Sequence, residues 1–152
     1  MGEPRASRPY WPDYPLPRSD LLPWGWAEDK LASSRNYFIS TTRLDGAPHT
    51  AIVWGVWLEG SLYFSTGASS RKARNPAQEP RCTIATDRAD DAVILEGEAE
   101  LSAMPPALPA IYEAKYNWVV EPGLGPLFVV RPRVVFAFRE QAMSETTRWT
   151  FA

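Results

Sequence analysis

The sequence has little of what builds disulfides, metal centres or membrane spans. Its 152 residues include one cysteine and one histidine. The lone Cys82 excludes an internal disulfide, and with a single distant histidine we expect no zinc site. No stretch approaches the roughly 20 consecutive apolar residues of a membrane span, and the N-terminus lacks the charged-then-apolar pattern of a signal peptide. These absences predict a cytoplasmic protein without a membrane partner.

The chain also lacks a strong charge of either sign. Its formal net charge is -2, which argues against nucleic acid as a partner despite the short basic run at residues 71–74. Proline, at 15 residues, and tryptophan, at seven, are abundant instead. Five of the prolines fall within residues 1–19 and forbid a helix there. We therefore predict an extended N-terminal arm over 1–19, lying on the domain or on a partner chain, and a folded domain over 20–152.

Hydrophobic periodicity predicts short strands and a few helices. The strand 92–101 shows the clearest alternation, with Val93 and Leu95 on one face and glutamates on the other, so we expect a solvated glutamate face. The turns at Asp45-Gly46 and Glu59-Gly60 are hairpin signals. Helices are predicted over 20–33, from about residue 70 to Pro76, and over 105–116. Strands are predicted over 37–42, 49–58, 61–66, 82–87, 92–101, 127–131, 134–139 and 147–151. In the strand 92–101, Leu101 is expected on the apolar face. Pro132 is expected to separate the strands 127–131 and 134–139. The pattern indicates a mainly β (α+β) fold, a small antiparallel barrel with two to three short helices.

The most informative segment is residues 63–75. An apolar strand ends in Ser65 and Thr66, passes a glycine, and is followed by Ser70, Arg71 and Lys72. Hydroxyls, backbone N–H groups and cations at a helix N-terminus are what a bound phosphate needs. An ordinary serine-capped helix with solvated cations is the alternative, and the residue types alone leave both open.

The order of these elements resembles the pyridoxamine 5′-phosphate oxidase-like superfamily. The resemblance is carried by the two turns, the strand ending in Tyr63-Phe-Ser-Thr, the Ser70-Arg71-Lys72 motif and the closing Thr147-Arg148-Trp149, and it spans about residues 24–151. It implies a dimeric, six-stranded FMN-binding split β-barrel. A true pyridoxamine phosphate oxidase is not expected, because the C-terminal arginine/histidine segment that grips its substrate is missing. The flavin/deazaflavin oxidoreductase branch, whose members use FMN or F420, fits better.

The resemblance also implies residue roles. The cofactor phosphate would be held by Ser65, Thr66, Ser70, Arg71 and Lys72, with Asn75 as a further candidate. The isoalloxazine ring would lie along the backbone of Ile52, Val53, Trp54 and Gly55. Because Gly55 has no Cβ, the backbone there can approach the flat ring closely. Arg148 and Trp149 are candidates for the end of the site that a second subunit completes in a homodimer.

Several alternatives remain open from sequence. His49 is either a proton donor or a hydrogen-bonding residue at a strand end. FMN and F420 are not distinguished, although Arg43 and Arg74 would suit the anionic tail of F420. The function expected is hydride transfer between the cofactor and a small conjugated substrate. A non-catalytic flavin, F420 or haem carrier on the same fold is the alternative.

Overall fold

The computed structural model describes residues 2–10, 20–67, 70–120 and 125–152. Within these ranges the chain forms nine β-strands, three α-helices and a 3₁₀ helix at Glu140–Glu145. The helices are α1 (Trp24–Ser33), α2 (Arg71–Gln78) and α3 (Leu108–Tyr116). The strands are β1 (Arg5–Ser7), β2 (Tyr37–Thr42), β3 (Pro48–Val53), β4 (Val56–Leu58), β5 (Ser61–Ser65), β6 (Arg81–Thr86), β7 (Asp91–Leu101), β8 (Leu127–Arg139) and β9 (Thr147–Thr150).

The strands form an antiparallel barrel that is split on one side. Their hydrogen-bonded order is β3-β2-β6-β7-β8, and β8 then pairs with β5 along its first half and with β9 along its second half. Strand β4 pairs with β5 and is separated from β3 by only Trp54 and Gly55. Counting β3 and β4 as one interrupted strand, six strands close the barrel. This confirms the split β-barrel predicted from the sequence.

Two predictions were wrong about where a strand is interrupted. The single strand predicted over 49–58 is divided at Trp54 and Gly55. Conversely, β8 continues through Pro132, because Pro132 lies opposite Gly97 where the β7–β8 register shifts. A Cβ at Gly97 would lie 2.4 Å from the carbonyl oxygen of Arg131, so glycine is what allows this close approach.

Some element ends also differ from prediction. Helix α1 begins after Pro23, α2 continues past Pro76, and α3 begins at Leu108 rather than at residue 105. Leu101 is exposed at the end of β7 instead of lying on the buried face. None of the described helices has the length and apolar character needed to cross a bilayer.

The core lies inside the barrel and under α1. Trp24 of α1 makes edge-on contacts with Trp57, Trp149 and Phe151, with ring centroids 5.1–6.3 Å apart. Trp149 is 1% exposed, so its indole is a core group and has no surface to offer a cofactor. Strand β1 of the N-terminal arm pairs with β9 of the same chain; residues 11–19 of the arm lie outside the described ranges.

Candidate functional site

The split in the barrel lies between β3 and β5. Among the described strands, β3 pairs only with β2, and β5 leaves β4 after Tyr63 and continues with β8 alone. The end of β3 at Val53 and the end of β5 at Ser65 therefore flank an opening that begins at the Trp54–Gly55 interruption. The two groups predicted to hold a cofactor ring and its phosphate lie on the two sides of this opening.

Hydroxyl groups converge at the N-terminus of α2. Ser70 is the N-cap residue, and its Oγ accepts the N–H of Ala73 at 3.3 Å and donates to the Gly67 carbonyl at 2.8 Å. The buried Thr66 Oγ1 lies 2.9 Å from the same Ser70 Oγ. The first N–H groups of a helix have no intrahelical acceptor, and the helix dipole adds partial positive charge there. This arrangement is suited to an anion.

Two cations begin α2. The side chain of Arg71 is exposed and that of Lys72 is half-exposed, and within the described parts of the chain neither forms an ion pair. No described carboxylate thus compensates them, which leaves both charges available for a phosphate dianion. Ser65 is exposed at the end of β5 and donates its Oγ to the Pro126 carbonyl at 3.0 Å.

Asn75 is buried and hydrogen-bonded within the protein instead of being open to a ligand. Its side chain is buried, and its Nδ2 donates to Thr41 Oγ1 of β2 at 3.0 Å. This hydrogen bond attaches α2 to the barrel. The prediction that Asn75 contacts a phosphate therefore does not fit its buried position.

A cleft of about 550 Å³ opens beside these hydroxyls. This volume lies within the roughly 300–1,000 Å³ that small-molecule sites span. Its lining has a hydroxyl-bearing part at residues 65–67 and an aromatic part formed by Trp54, Tyr112 and Trp118, joined by Tyr63 and apolar side chains such as Met104 and Leu108. A larger depression of about 830 Å³, at the β2–β3 turn, includes Arg43 but none of the residues predicted to hold the cofactor's phosphate or its ring.

Gly125 fixes the loop beside Thr66 and was not singled out from the sequence. Its φ is +90°, and a Cβ there would lie 2.6 Å from the Thr66 carbonyl oxygen. Only glycine permits both features without a backbone shift. The position of the hydroxyl-bearing end of the cleft therefore depends on this approach.

Gly55 is held by α3, and this contact was also missed. The Tyr116 hydroxyl accepts the N–H of Gly55 at 2.9 Å and lies 2.7 Å from the Arg35 carbonyl, to which it can donate. Lys115 Nζ donates to the Gly55 carbonyl at 2.9 Å and to the Tyr37 hydroxyl at 2.8 Å. These bonds replace the ladder hydrogen bonds that an uninterrupted strand would make.

The reason for a glycine at position 55 differs from the one inferred from the sequence. A Cβ there would meet the Tyr37 ring at 3.1 Å and the Tyr63 carbonyl at 3.2 Å. A larger residue would thus crowd groups inside the protein, so the glycine does not by itself indicate a flat ligand.

Burial shifts the ionisation of the groups around Gly55. It raises the pKa of Tyr116 to about 12 and raises the pKa of Tyr37 further. Burial, assisted by the nearby Arg35 charge, lowers the pKa of Lys115 to about 8, and Asp87 opposes this. Both tyrosines are therefore neutral hydrogen-bonding groups at neutral pH, and Lys115 is predominantly charged.

The remaining candidates lie away from the cleft. His49 is half-buried in β3, with its Nδ1 3.1 Å from the Arg43 guanidinium. Arg148 lies on the outer face of β9, opposite Phe136 of β8, so one chain alone does not bring it to the cleft. Val53 turns its side chain into the core, which leaves only its backbone for a ligand. No three histidine, cysteine or carboxylate side chains of the described residues lie close enough to share a metal ion.

The fold is an antiparallel split barrel, and the hydroxyl- and cation-bearing start of α2 lies beside a cleft at its opening. The chain belongs to the pyridoxamine 5′-phosphate oxidase family, whose model matches residues 27–139. No curated protein matches its sequence.

Solved structures share the fold at low sequence identity. An F420 reductase is 23% identical with a TM-score of 0.60, and the match covers 75% of this chain and 98% of that one. A pyridoxamine 5′-phosphate oxidase-related, FMN-binding protein from Nostoc punctiforme PCC 73102 is 19% identical, with a TM-score of 0.59 and coverage of 85% and 90%. A heme-binding protein from Mycobacterium smegmatis is 20% identical, with a TM-score of 0.59 and coverage of 78% and 58%.

Proposed function

We propose that this protein is an oxidoreductase that binds FMN or F420 and transfers hydride between it and a small conjugated organic substrate. The observation that carries the proposal is the start of α2, where Thr66 and Ser70 meet beside Arg71 and Lys72, two cations that no carboxylate of the described residues pairs with. Family membership and the neighbouring cleft support it.

The residues present fit the charge and shape of such a cofactor. Arg71 and Lys72 would neutralise its phosphate, while Thr66, Ser70 and the first N–H groups of α2 would hydrogen-bond to the phosphate oxygens. Ser65 and the backbone of β3 at Ile52 would border the adjoining part of the molecule. The bound cofactor supplies hydride transfer, so the protein's task is to position it and exclude water.

The outer face of the sheet carries exposed apolar residues that would suit a homodimer interface. Ile52, Phe38, Ala85, Ile94 and Phe136 are direct cross-strand neighbours, and they form an apolar row across five strands. The side chains of Ile52, Phe38 and Ile94 are 59%, 42% and 39% exposed, an unusual amount for contiguous apolar residues.

The apolar row also suggests how a second subunit completes the site. Its far end is Arg148, the cross-strand neighbour of Phe136, and its near end is Ile52 at the split. A two-fold interface pairs each patch with its own copy in the opposite direction. In such a dimer Arg148 of the partner subunit approaches the opening of this chain.

The phosphate assignment is tested by cofactor titration. Replacing Arg71 and Lys72 together with alanine is expected to weaken binding of FMN, F420 or both by about 100-fold, because charge-assisted hydrogen bonds to the phosphate are lost. Flavin fluorescence and calorimetry measure the affinity. Titrating both cofactors also decides which of the two this chain prefers.

A control separates this effect from loss of charge in general. Lys30→Ala with Arg88→Ala also removes one lysine and one arginine, but from α1 and the β6–β7 turn. This variant is expected to bind the cofactor like the wild type. Equal affinity of the Arg71/Lys72 variant and the wild type would refute the phosphate assignment.

The carrier alternative is separated by turnover. A flavin, F420 or haem carrier retains its chromophore without exchanging electrons with a substrate. Stopped-flow absorbance of the loaded protein with a chemical reductant and a panel of conjugated acceptors distinguishes the two, since an oxidoreductase is reoxidised by at least one acceptor.

A further inference from the structure

The aromatic part of the cleft presents more ring surface than the anion site requires. The Trp54 ring stacks on Tyr116 with centroids 4.5 Å apart and planes 9° apart. Tyr112 and Trp118 lie 6.3 and 6.4 Å from Trp54, tilted by 57° and 71°. The rings of Trp54, Tyr112 and Trp118 line the cleft together, yet Trp118 remains 58% exposed. An indole that is held in an aromatic cluster and still open to a cleft is suited to a ligand.

The charges around this aromatic part select the chemistry of a ligand. Every described residue that lines the cleft is uncharged. Behind the aromatic part, the Arg35 guanidinium lies 5.4 Å from the Trp54 ring centroid and Lys115 Nζ lies 5.2 Å from that of Tyr116. These positive groups repel a cation from the rings, although aromatic clusters otherwise suit cations. An anion would be attracted by the same groups, but they lie behind the rings and no charged residue of the described lining could pair with it directly, so its desolvation would be poorly compensated.

We propose that Trp54, Tyr112 and Trp118 form the substrate compartment and that it takes a flat, uncharged, carbon-rich ring. This inference rests on the proposed function, because it places the substrate beside a cofactor whose phosphate lies at α2. Trp118 and Tyr112 are the specificity-determining residues. Tyr116 supports Trp54 from behind, since its hydroxyl is bonded to the backbone around Gly55.

The test uses calorimetric titration of the full chain with two probes that share a ring. Naphthol is uncharged at neutral pH, and naphthalenesulfonate carries an added anionic group. Naphthol is expected to bind the wild type, and Trp118→Ala and Tyr112→Ala are each expected to weaken it by about tenfold, because stacking area is lost. Tyr10→Ala, which removes a ring that is 86% exposed and outside the cleft, is expected to leave the affinity unchanged. Circular dichroism confirms that each variant folds.

The outcomes separate this inference from the cofactor proposal. Arg71→Ala with Lys72→Ala should lose FMN or F420 and keep naphthol, whereas Trp118→Ala should do the reverse. If naphthol binds as expected and no cofactor binds, the proposed function fails while the aromatic binding site stands. The inference is overturned if naphthol does not bind the wild type, if it binds Trp118→Ala and Tyr112→Ala undiminished, or if naphthalenesulfonate binds more tightly. It is equally overturned if FMN displaces naphthol, which would assign the rings to the cofactor.

Discussion

Gly55 shows how single residues divide the barrel. Its N–H and carbonyl are bonded by side chains of α3 instead of a neighbouring strand. Lys115 supplies one of these bonds from a half-buried position, where burial lowers its pKa to about 8. One partly buried lysine therefore contributes a hydrogen bond to the interruption at which the split begins.

Lys115 gives the stability of the protein a defined pH dependence. Its pKa is 10.5 when exposed and about 8 in the folded protein, so between these values the unfolded chain binds more protons. The free energy of unfolding should then gain a positive contribution as the pH rises through this window. Urea unfolding of wild type and Lys115→Met at several pH values measures it. The variant should lack the contribution, and identical slopes for the two proteins would contradict the assignment.

At the scale of elements, β7 and β8 are joined through a bulge that depends on Gly97. Pro132 provides no N–H for the ladder, and the register shift opposite it brings the β8 backbone against the Gly97 Cα. Helix α2 is attached to β2 in a comparable way, by the buried hydrogen bond from Asn75 to Thr41. The first contact fixes the β7–β8 register, and the second fixes the position of α2 on the barrel.

Adding a methyl group at Gly97 tests the bulge. Gly97→Ala is expected to lower the free energy of unfolding by about 1–3 kcal/mol, because its Cβ meets a backbone oxygen that cannot rotate away. Chemical denaturation measures the loss. Glu100→Ala, on the exposed face of the same strand, serves as control and should change stability by less than about 0.5 kcal/mol. If Gly97→Ala were as stable as the wild type, β8 would be able to move aside for the added Cβ, and the prediction would be wrong.

At the scale of the whole molecule, the apolar row is the face through which we propose that two copies associate. It includes Ile52 at the split and leads to Arg148 of β9, which β1 flanks on its other side. A dimer formed on this face would cover the row and complete the opening of each barrel. Association and cofactor binding should therefore be linked.

Charges placed in the row test this linkage. Phe38→Glu with Ile94→Glu is expected to yield a monomer with weaker cofactor binding, because buried carboxylates without partners oppose association. Light scattering after size-exclusion chromatography gives the mass, and fluorescence titration gives the affinity. Leu44→Glu, at the exposed β2–β3 turn, should remain dimeric. A wild-type dimer that persists in the double variant would place the interface elsewhere.

The sequence predicted most of the barrel, because strand alternation and turn residues act locally. Strand β2 has the bounds expected of its β-branched and aromatic residues, and Val93 and Leu95 alternate with exposed neighbours as predicted. The order of the residues also predicted that a serine caps the helix that Arg71 and Lys72 begin, because Ser70 and the cations are neighbours in sequence.

Contacts between distant segments could not be predicted in the same way. Tyr116 and Gly55 are 61 residues apart, Asn75 and Thr41 are 34 apart, and no local pattern records either hydrogen bond. Periodicity also could not show that Trp149 is a core residue or that Trp118 is open to a cleft. Local chain chemistry thus determined the strands, their turns and the cationic helix end. Only tertiary packing decided where the barrel opens and which aromatic rings face the opening, because these depend on residues that meet only after the sheet has closed.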